Sequence, residues 1–453
     1  MRAPRLSKYL AAAVSVAILA GAPATAQPAG DDTLVLKDFT LIDGTGKPPV
    51  PHAGMIVTGG RITWIGPVGQ LKAPKGATVV ALTGKYVMPG LIDTHIHLAI
   101  SKDGLTVDAA NQTPANITAQ LQQFAAYGVT TIQSMGTDQD VVLQMRDEQR
   151  RTGRPGAARI YSAGLGVVVD GGYGGLAGVT RKVATPAQTV AAVDREAARH
   201  VDLVKFWLDD ELGTMPSLPP EISAATIDTA HARRLKVVGH IFYLADARRV
   251  VDQGIDGLGH SVRDRAVDAG FVTAMKQHNS WQMAATLGRE RALFAYGTPA
   301  PWLNDPFFVQ AVPPATLRTL ADPANQAKIA GAPHFGQLEG FLRTAQRNLK
   351  TLADSGIRYA MGTDAGGPLR FPGHVEHDEL ALMVEAGLTP MQAIVAATSS
   401  GASFLGAADL GSLQKGKWAD MVVLDADPLA DITNSRSISA VYIAGRQVRS
   451  VAR

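Results

Sequence analysis

Short apolar segments alternate with amphipathic segments between residues 89 and 410, and this alternation restricts the fold more than any other feature of the chain. Repeated strand-then-helix units predict a parallel sheet, and eight of them fit a closed (β/α)8 TIM barrel. A doubly wound open sheet is the alternative, but no glycine-rich dinucleotide turn supports it. The eight candidate strands are "VMPGLIDTHIHL", "TTIQSM", "ARIYSAG", "LVKFWL", "KVVGHIF", "GLGHS", "WQMAATL" and "YAMGTDA".

The two ends of the chain follow a different pattern. Residues 27–88 contain short β-rich runs separated by glycine-containing turns, and residues 411–453 return to the same pattern. Because chain ends often lie close together, we expect both segments to form one small β-sandwich domain beside the barrel of residues 89–410. The predicted fold class is therefore α/β.

Residues 1–26 have the features of an export signal. Arg2, Arg5 and Lys8 precede the apolar run "LAAAVSVAILAG", and "ATAQ" offers a small-residue cleavage site after Ala26. The run is too short to span a bilayer comfortably, which disfavours a membrane anchor. We expect a cleaved signal peptide, a periplasmic or secreted protein, and no membrane contact after cleavage.

The composition excludes several partners and chemistries. The chain has 43 basic and 40 acidic residues, a formal net charge of +3, and its basic residues are scattered, which argues against a nucleic-acid partner. Cysteine is absent, so disulfides, a thiolate nucleophile and a zinc–cysteine site are excluded. Any metal ion must be held by His, Asp, Glu or a modified Lys.

Ionisable side chains stand at the ends of several predicted strands. In a (β/α)8 barrel the active site lies at the carboxyl ends of the strands. Residues two apart in a strand point to the same face, so His95 and His97 enter the barrel mouth together. In chain order, the strand ends carry His95, His97, Lys205, His240, His260 and Asp364.

Each of these residues has an ordinary structural explanation when taken alone. A single His on an apolar strand is usually a hydrogen-bonded core residue, a Lys can extend to the surface, and an Asp before two glycines is commonly a turn or cap residue. Six such groups at one barrel mouth are costly to bury unless they are paired or bound to metal. The joint pattern therefore predicts a metal site.

Five segments, in this order, resemble the amidohydrolase superfamily, and within it the imidazolonepropionase-like and Xaa-Pro dipeptidase-like (prolidase-like) group. The resemblance covers nearly all of the chain after the signal peptide. A His-x-His strand alone is a weak signal, but the ordered set is specific. The segments are "PGLIDTHIHL", "GHIFY", "GIDGLGHS", "GTDAG" and "GSLQKGKWADMVVLDADPL".

The resemblance implies a centre of two divalent metal ions. His95, His97 and Asp364 would hold one ion, and His240 and His260 the other. Lys205, carboxylated to N6-carboxylysine, would bridge them; an outward-pointing lysine would leave a single ion. Zinc suits such a site, and manganese, cobalt and iron remain alternatives.

The implied chemistry is hydrolysis by a metal-activated hydroxide, with Asp364 as general base and then acid. We expect the substrate to be a small molecule with an amide bond, either a dipeptide or an N-acyl amino acid with an apolar side chain. The alternatives are a cyclic amide or lactone, as in imidazolonepropionase, a phosphotriester, and a non-catalytic metal-binding barrel. A mere binding protein would need no base beside the metal-bound water, so Asp364 argues against the last alternative.

Three further residues are candidate substrate contacts. Tyr243 lies three residues after His240 and would donate to the scissile carbonyl or to a carboxylate, and Arg263 would pair with a carboxylate. Their ordinary roles are a rim tyrosine and a surface salt bridge. Tyr173 lies in the glycine-rich segment "GLGVVVDGGYGGLAG". This segment is expected to be a mobile flap over the site or a simple connection. Relatives in the resembling group often have His at the position of Tyr173.

The stretch 289–340 is long for a barrel loop. Its aromatic and proline-rich part is expected to line an apolar specificity pocket or to pack against a neighbouring subunit of a homo-oligomer. His374 and His377 begin the last predicted helix, where we expect them to act as caps.

Overall fold

The predicted succession of strands and helices is present in the structure, a computed structural model that describes residues 33–283 and 286–451. The predicted signal peptide lies outside the described residues. The strands are β1 (Thr33–Leu41), β2 (Val50–Thr58), β3 (Arg61–Pro67), β4 (Thr78–Ala81), β5 (Tyr86–Pro89), β6 (Leu91–Ile96), β7 (Val129–Ser134), β8 (Arg159–Ser162), β9 (Val167–Val169), β10 (Arg181–Val183), β11 (Leu203–Trp207), β12 (Lys236–His240), β13 (Gly257–Leu258), β14 (Trp281–Met283), β15 (Tyr359–Ala360), β16 (Met421–Leu424), β17 (Ile438–Ile443) and β18 (Arg446–Val448). The helices are α1 (Pro114–Ala126), α2 (Asp140–Thr152), α3 (Pro186–Ala198), α4 (Pro220–Ala232), α5 (Leu244–Asp252), α6 (Ala269–Gln277), α7 (Leu287–Ala295), α8 (Pro306–Val309), α9 (Pro314–Ala321), α10 (Pro323–Ala330), α11 (Phe335–Asp354), α12 (His374–Glu385), α13 (Pro390–Val395) and α14 (Gly401–Leu405).

The strands of the middle region pair in parallel and in chain order. β6, β7 and β8 form one sheet, and β11 to β15 belong to a second, in which β9 and β10 extend the edge beside β11. The N–H of Asp202 donates to the carbonyl of Ser162 (2.8 Å), and the N–H of Thr94 donates to the carbonyl of Met361 (2.9 Å). These bonds link the two sheets at both edges, an arrangement consistent with the predicted barrel.

Helix starts in this region follow a local rule that is visible in the sequence. Thr113, Thr185 and Thr389 each precede a proline, and each hydroxyl accepts a hydrogen bond from the backbone N–H three residues later, at 3.2 Å. Threonine at the N-cap satisfies a backbone donor that the helix leaves free, and proline suits the first helical position. Helices α1, α3 and α13 therefore begin where this motif stands.

Both ends of the chain contribute to one sheet, as the sequence predicts. Its strand order is β18-β17-β16-β5-β1-β2-β3, with β4 also paired to β1, and β16 runs antiparallel to β5. The guanidinium of Arg159 on β8 donates two hydrogen bonds to Asp420, at 2.6 and 3.1 Å. This sheet is one hydrogen-bonded unit; the two-layer sandwich and the boundaries at residues 88 and 410 stay predictions.

The first predicted barrel strand is divided in two at Gly90. Its first part is β5 in the terminal sheet, and its second part is β6. A Cβ atom on Gly90 would lie 2.1 Å from the Thr130 hydroxyl oxygen, which is impossibly close. The chain can pass from one sheet to the other here because residue 90 has no side chain.

The stretch 289–340 folds onto its own chain and contains most of α7 together with α8, α9 and α10. Tyr296, Phe308 and Leu320 form a buried cluster with Tyr127 and Phe371 from neighbouring segments. The Tyr127 hydroxyl also donates to the carbonyl of Phe307 (2.8 Å). These aromatic residues therefore complete a core within the chain, and the predicted pocket or subunit contact of this stretch stays a prediction.

His374 and His377 are not capping residues, so that prediction is wrong. Gly373 occupies the N-cap of α12, and its N–H is bound by the Glu376 side chain (2.7 Å). Both histidines are buried. His377 Nε2 donates to the carbonyl of Tyr127 (2.9 Å), and its Nδ1 lies 2.8 Å from the Ser435 hydroxyl oxygen. The helix start faces the core, where the His377 imidazole serves as an internal hydrogen-bonding group.

Among the described residues, no helix combines the length and the apolar composition needed to cross a membrane.

Burial lowers the pKa of His377 to about 3. The unfolded chain takes up a proton near pH 6.5 and the native state does not, so this residue makes stability fall as pH drops below 6.5. We expect His377→Gln to reduce the pH slope of the unfolding free energy between pH 6 and 4, by up to about 1.4 kcal/mol per pH unit. Urea unfolding at several pH values measures this slope, with exposed His278→Gln as control. An unchanged slope would contradict the neutral state of His377.

Candidate active site

Six predicted site residues lie together where the parallel strands end. His97 Nε2 lies 3.0 Å from Asp364 Oδ1, and His95 Nε2 lies 3.7 Å from the same atom. The potential ligand atoms of these three residues lie within 4.8 Å of one another. The three come from β6 and from the segment after β15, which the backbone pairs directly: the N–H of Asp364 donates to the carbonyl of His95 (2.7 Å).

The remaining three predicted ligands border this group. Lys205 Nζ lies 3.2 Å from His95 Nε2. The ring of His260 lies 4.7 Å from that of His95, and the rings of His260 and His240 are 4.0 Å apart. Lys205 is fully buried, so the outward-pointing alternative is wrong.

Hydrogen bonds determine which ring nitrogen is free on two of the histidines. His95 Nδ1 lies 2.8 Å from the carbonyl oxygen of Gly259, which can only accept, so Nδ1 carries the proton and Nε2 has a free lone pair. His240 Nε2 lies 3.1 Å from Asp209 Oδ2, so on this ring Nδ1 is the free nitrogen. Such partners orient the imidazole of a metal-binding histidine.

Threonine hydroxyls hold the other two rings. His97 Nδ1 lies 3.0 Å from Thr137 Oγ1, and His260 Nδ1 lies 2.8 Å from Thr286 Oγ1. Each Nε2 is thereby left available on the side facing the other site residues. All four rings are anchored at one nitrogen and offer the other.

Burial favours the neutral form of the nitrogen donors. Desolvation is the main cause that lowers the pKa of His95, His97 and His260, and it lowers the pKa of His240 to about 3. It also lowers the pKa of Lys205 to about 7. Neutral nitrogens have the lone pairs that metal binding requires.

Asp364 has two differently surrounded oxygens. Oδ1 faces the histidines and has no hydrogen-bond donor, whereas Oδ2 lies 3.2 Å from Arg289 Nε and 3.5 Å from Arg370 Nη2. Burial alone would raise the pKa of Asp364, but Arg370 and His97 hold it well below its usual range. A buried, ionised oxygen that faces the Nε2 atoms of His95 and His97 fits a divalent cation.

The predicted substrate contacts are divided between the site and its surroundings. The ring of Tyr173 lies 4.8 Å from that of His240, and Tyr173 is carried by the segment between β9 and β10. The Tyr243 hydroxyl donates to Asp210 (3.0 Å). Arg263 is buried rather than at the surface, and its Nη1 donates to the carbonyls of Ile241 and Ser261.

Several residues that sequence reasoning missed complete the surroundings. Asp209 follows β11 by two positions, Arg289 and Glu290 follow β14 at the start of α7, and Arg370 follows Asp364 by six residues. The available signal was their position just after a strand end. That signal is weak because charged residues are also common in exposed loops.

Fold and site together define an enzyme class: a hydrolase with a metal-binding centre at the ends of parallel strands. The sequence model of the Amidohydrolase family matches residues 86–448, and the chain belongs to this family.

Relatives and solved structures agree with this assignment. The imidazolonepropionase of Micrococcus luteus is 24% identical over an alignment of 443 residues that covers 91% of this chain and 98% of that protein. The structure of a Xaa-Pro dipeptidase with bound methionine in its active site matches with a TM-score of 0.70 and 20% identity, covering 92% of this chain and 99% of that one. The structure of the A. niger ochratoxinase matches with a TM-score of 0.71 and 18% identity, covering 92% of this chain and 95% of that one. At these identities the structures show a shared fold.

Asp209 is expected to support metal binding through His240. Asp209→Asn weakens the acceptor at His240 Nε2, so we expect metal affinity to fall about 10- to 100-fold. Competition with a chelator of known affinity measures this loss. The neighbouring Asp210→Asn, which changes the partner of Tyr243, is the matched control. Equal affinities in both variants would remove Asp209 from the site.

Proposed function

We propose that this protein hydrolyses the amide bond of a dipeptide or an N-acyl amino acid with an apolar side chain. The observation that carries the proposal is the gathering of His95, His97, Lys205, His240, His260 and Asp364 around one buried position. Membership of the amidohydrolase family supports the reaction class. The prolidase-like structural neighbours support the choice of a peptide-like substrate.

Two divalent ions, zinc by preference, would be held by the residues that the sequence predicts. His95, His97 and Asp364 fit one ion, and His240 and His260 fit the other. When bound, such ions polarise a carbonyl and lower the pKa of a water molecule. Carboxylation of Lys205 would add two oxygens between the two groups. Its support is that Lys205 is fully buried and forms no ion pair within the described part of the chain.

The chain itself supplies the proton transfer. Asp364 Oδ1 is ionised and without a donor, so it is able to accept a proton from the attacking water and return it to the leaving amine. The Tyr173 ring, next to the His240 ring, and the Tyr243 hydroxyl are the proposed substrate contacts. Because the six predicted metal ligands are buried, bulk water is excluded from them, and the electrostatic contacts among them are stronger than they would be in water.

A substrate panel tests the proposal. The zinc-loaded protein is incubated with apolar dipeptides, N-acetyl amino acids, a lactone, a cyclic amide and an organophosphate triester, and product release is measured. We expect turnover of the linear amides. Preferential turnover of the lactone or cyclic amide would favour the imidazolonepropionase-like alternative, and turnover of the triester alone would contradict amide hydrolysis.

Asp364→Asn tests the proton transfer. Asp364 has a left-handed backbone (φ 63°), which asparagine also tolerates, so the fold is expected to persist. We expect kcat to fall by about 100- to 10,000-fold because the amide cannot act as a base, while much of the metal stays bound. Metal analysis and steady-state kinetics measure both quantities. Full activity in the variant would remove this role of Asp364.

Three further parts of the proposal have separate measurements. Carbon-13 NMR after exchange with labelled bicarbonate detects a carbamate on Lys205. Cell fractionation together with N-terminal sequencing tests export and cleavage after Ala26. Light scattering of the purified protein tests the expected homo-oligomer.

A further inference from the structure

A row of buried charges connects the two groups of predicted ligands. All of its members are at most 5% exposed. Glu290 Oε1 is shared by two guanidiniums, at 3.1 Å from Arg263 Nε and 2.6 Å from Arg289 Nη1. We call these residues the charge row: Asp209, Arg263, Glu290, Arg289 and Asp364.

Two carboxylates of the charge row are each shared by two guanidiniums. Glu290 serves both Arg263 and Arg289, and Asp364 Oδ2 serves both Arg289 and Arg370. Arg289 therefore has only a share of each of its two carboxylates. Three carboxylates face three guanidiniums here, so the formal charges balance, but Arg289 has no carboxylate of its own. Because a buried guanidinium is most stable when it is fully paired, Arg289 is the member that a further anion would stabilise.

This balance would change if Asp364 served a metal ion. Its Oδ1 faces His95 and His97, and a cation held there would draw on the same carboxylate that neutralises Arg289 and Arg370. A ligand anion placed at Arg289 would restore the balance. At that position the anion would lie close to the predicted metal-binding side chains, where the scissile amide of a substrate must also lie.

Arg289 also has free hydrogen-bonding capacity. Nη1 donates to Glu290 and Nη2 donates to the Tyr173 hydroxyl (3.3 Å), while Nε lies near Asp364 but has no hydrogen-bond partner. A guanidinium has five N–H donors, so at least two remain on the Nη atoms. Arg263 differs because its Nη1 is tied to two backbone carbonyls.

We propose that Arg289, supported by Arg370, binds a carboxylate of the substrate, so that the enzyme selects amides whose amine-side residue has a free carboxyl group. This role replaces the one that the sequence predicted for Arg263. The inference rests on the proposed function, since it names the residue that recognises part of that substrate.

Matched acid and amide substrates test the selection. We expect the wild-type zinc-loaded enzyme to hydrolyse N-acetyl-L-methionine with a kcat/KM about 10- to 100-fold above that for N-acetyl-L-methioninamide, the range of a charge-assisted hydrogen bond. Arg289→Met should abolish this preference, with the loss on the acid mainly in KM. Arg289→Lys should keep part of it, because the charge remains but the planar fork is lost.

A control variant is available on the same helix. Arg291 also lies on α7, but it pairs with Asp378 and lies over the Trp302 ring (4.9 Å). We expect Arg291→Met to retain the full preference for the acid. An equal loss of preference in Arg289→Met and Arg291→Met would overturn the assignment, as would wild-type enzyme that treats acid and amide alike.

A binding measurement separates this inference from the proposed function. Calorimetry with L-methionine and L-methioninamide on zinc-loaded protein reports carboxylate binding without turnover. We expect L-methionine to bind at least tenfold more tightly than its amide to wild type, and equally to Arg289→Met. If no amide is hydrolysed but this difference appears, the proposed function fails and the carboxylate subsite stands. If amides are hydrolysed without any difference, the subsite fails and the function stands.

Discussion

The pairing of the first and last parallel strands is the contact on which the site depends. The N–H of His97 donates to the carbonyl of Ala365, and the N–H of Asp364 donates to that of His95, both at 2.7 Å. These two bonds join segments that are more than 260 residues apart in the sequence. They place one carboxylate against two imidazoles, and the backbone rather than the side chains fixes their separation. A displaced edge strand would remove the candidate site altogether.

Burial is the second constraint, and it affects the two kinds of side chain in opposite ways. It keeps four histidines neutral and lowers the pKa of Lys205 to about 7, because a lone cation is poorly solvated in the core. It would also neutralise Asp364, but adjacent guanidiniums prevent this. The site thus combines neutral nitrogen donors with an ionised carboxylate. The carboxylate stays ionised because Arg289 and Arg370 lie beside it. Neutral nitrogens and an ionised carboxylate are a ligand set that suits a divalent cation.

Much of this arrangement was predictable from residue order. Strand and helix alternation indicated parallel strands, and the six ionisable residues at the strand ends were identified before any geometry was known. The Thr-Pro motif marked the starts of three helices. By contrast, the pattern at His374 and His377 gave the wrong role, since a histidine at a helix start looks the same whether that start faces water or the core. Arg263 was predicted to pair with a substrate carboxylate, but it lies near Glu290 and donates to backbone carbonyls, because sequence spacing does not report which partners a side chain meets.

The sequence by itself determined the order of the elements, the chemistry available at each strand end and the absence of thiol ligands. These are local properties, set by hydrophobic periodicity and residue type. Only the tertiary structure decided which nitrogen of each imidazole is free, that Arg289 rather than Arg263 adjoins Asp364, and that the stretch 289–340 completes the core. Those outcomes depend on contacts between residues that are distant in the chain, where a shift of a few ångströms changes the partner of a hydrogen bond.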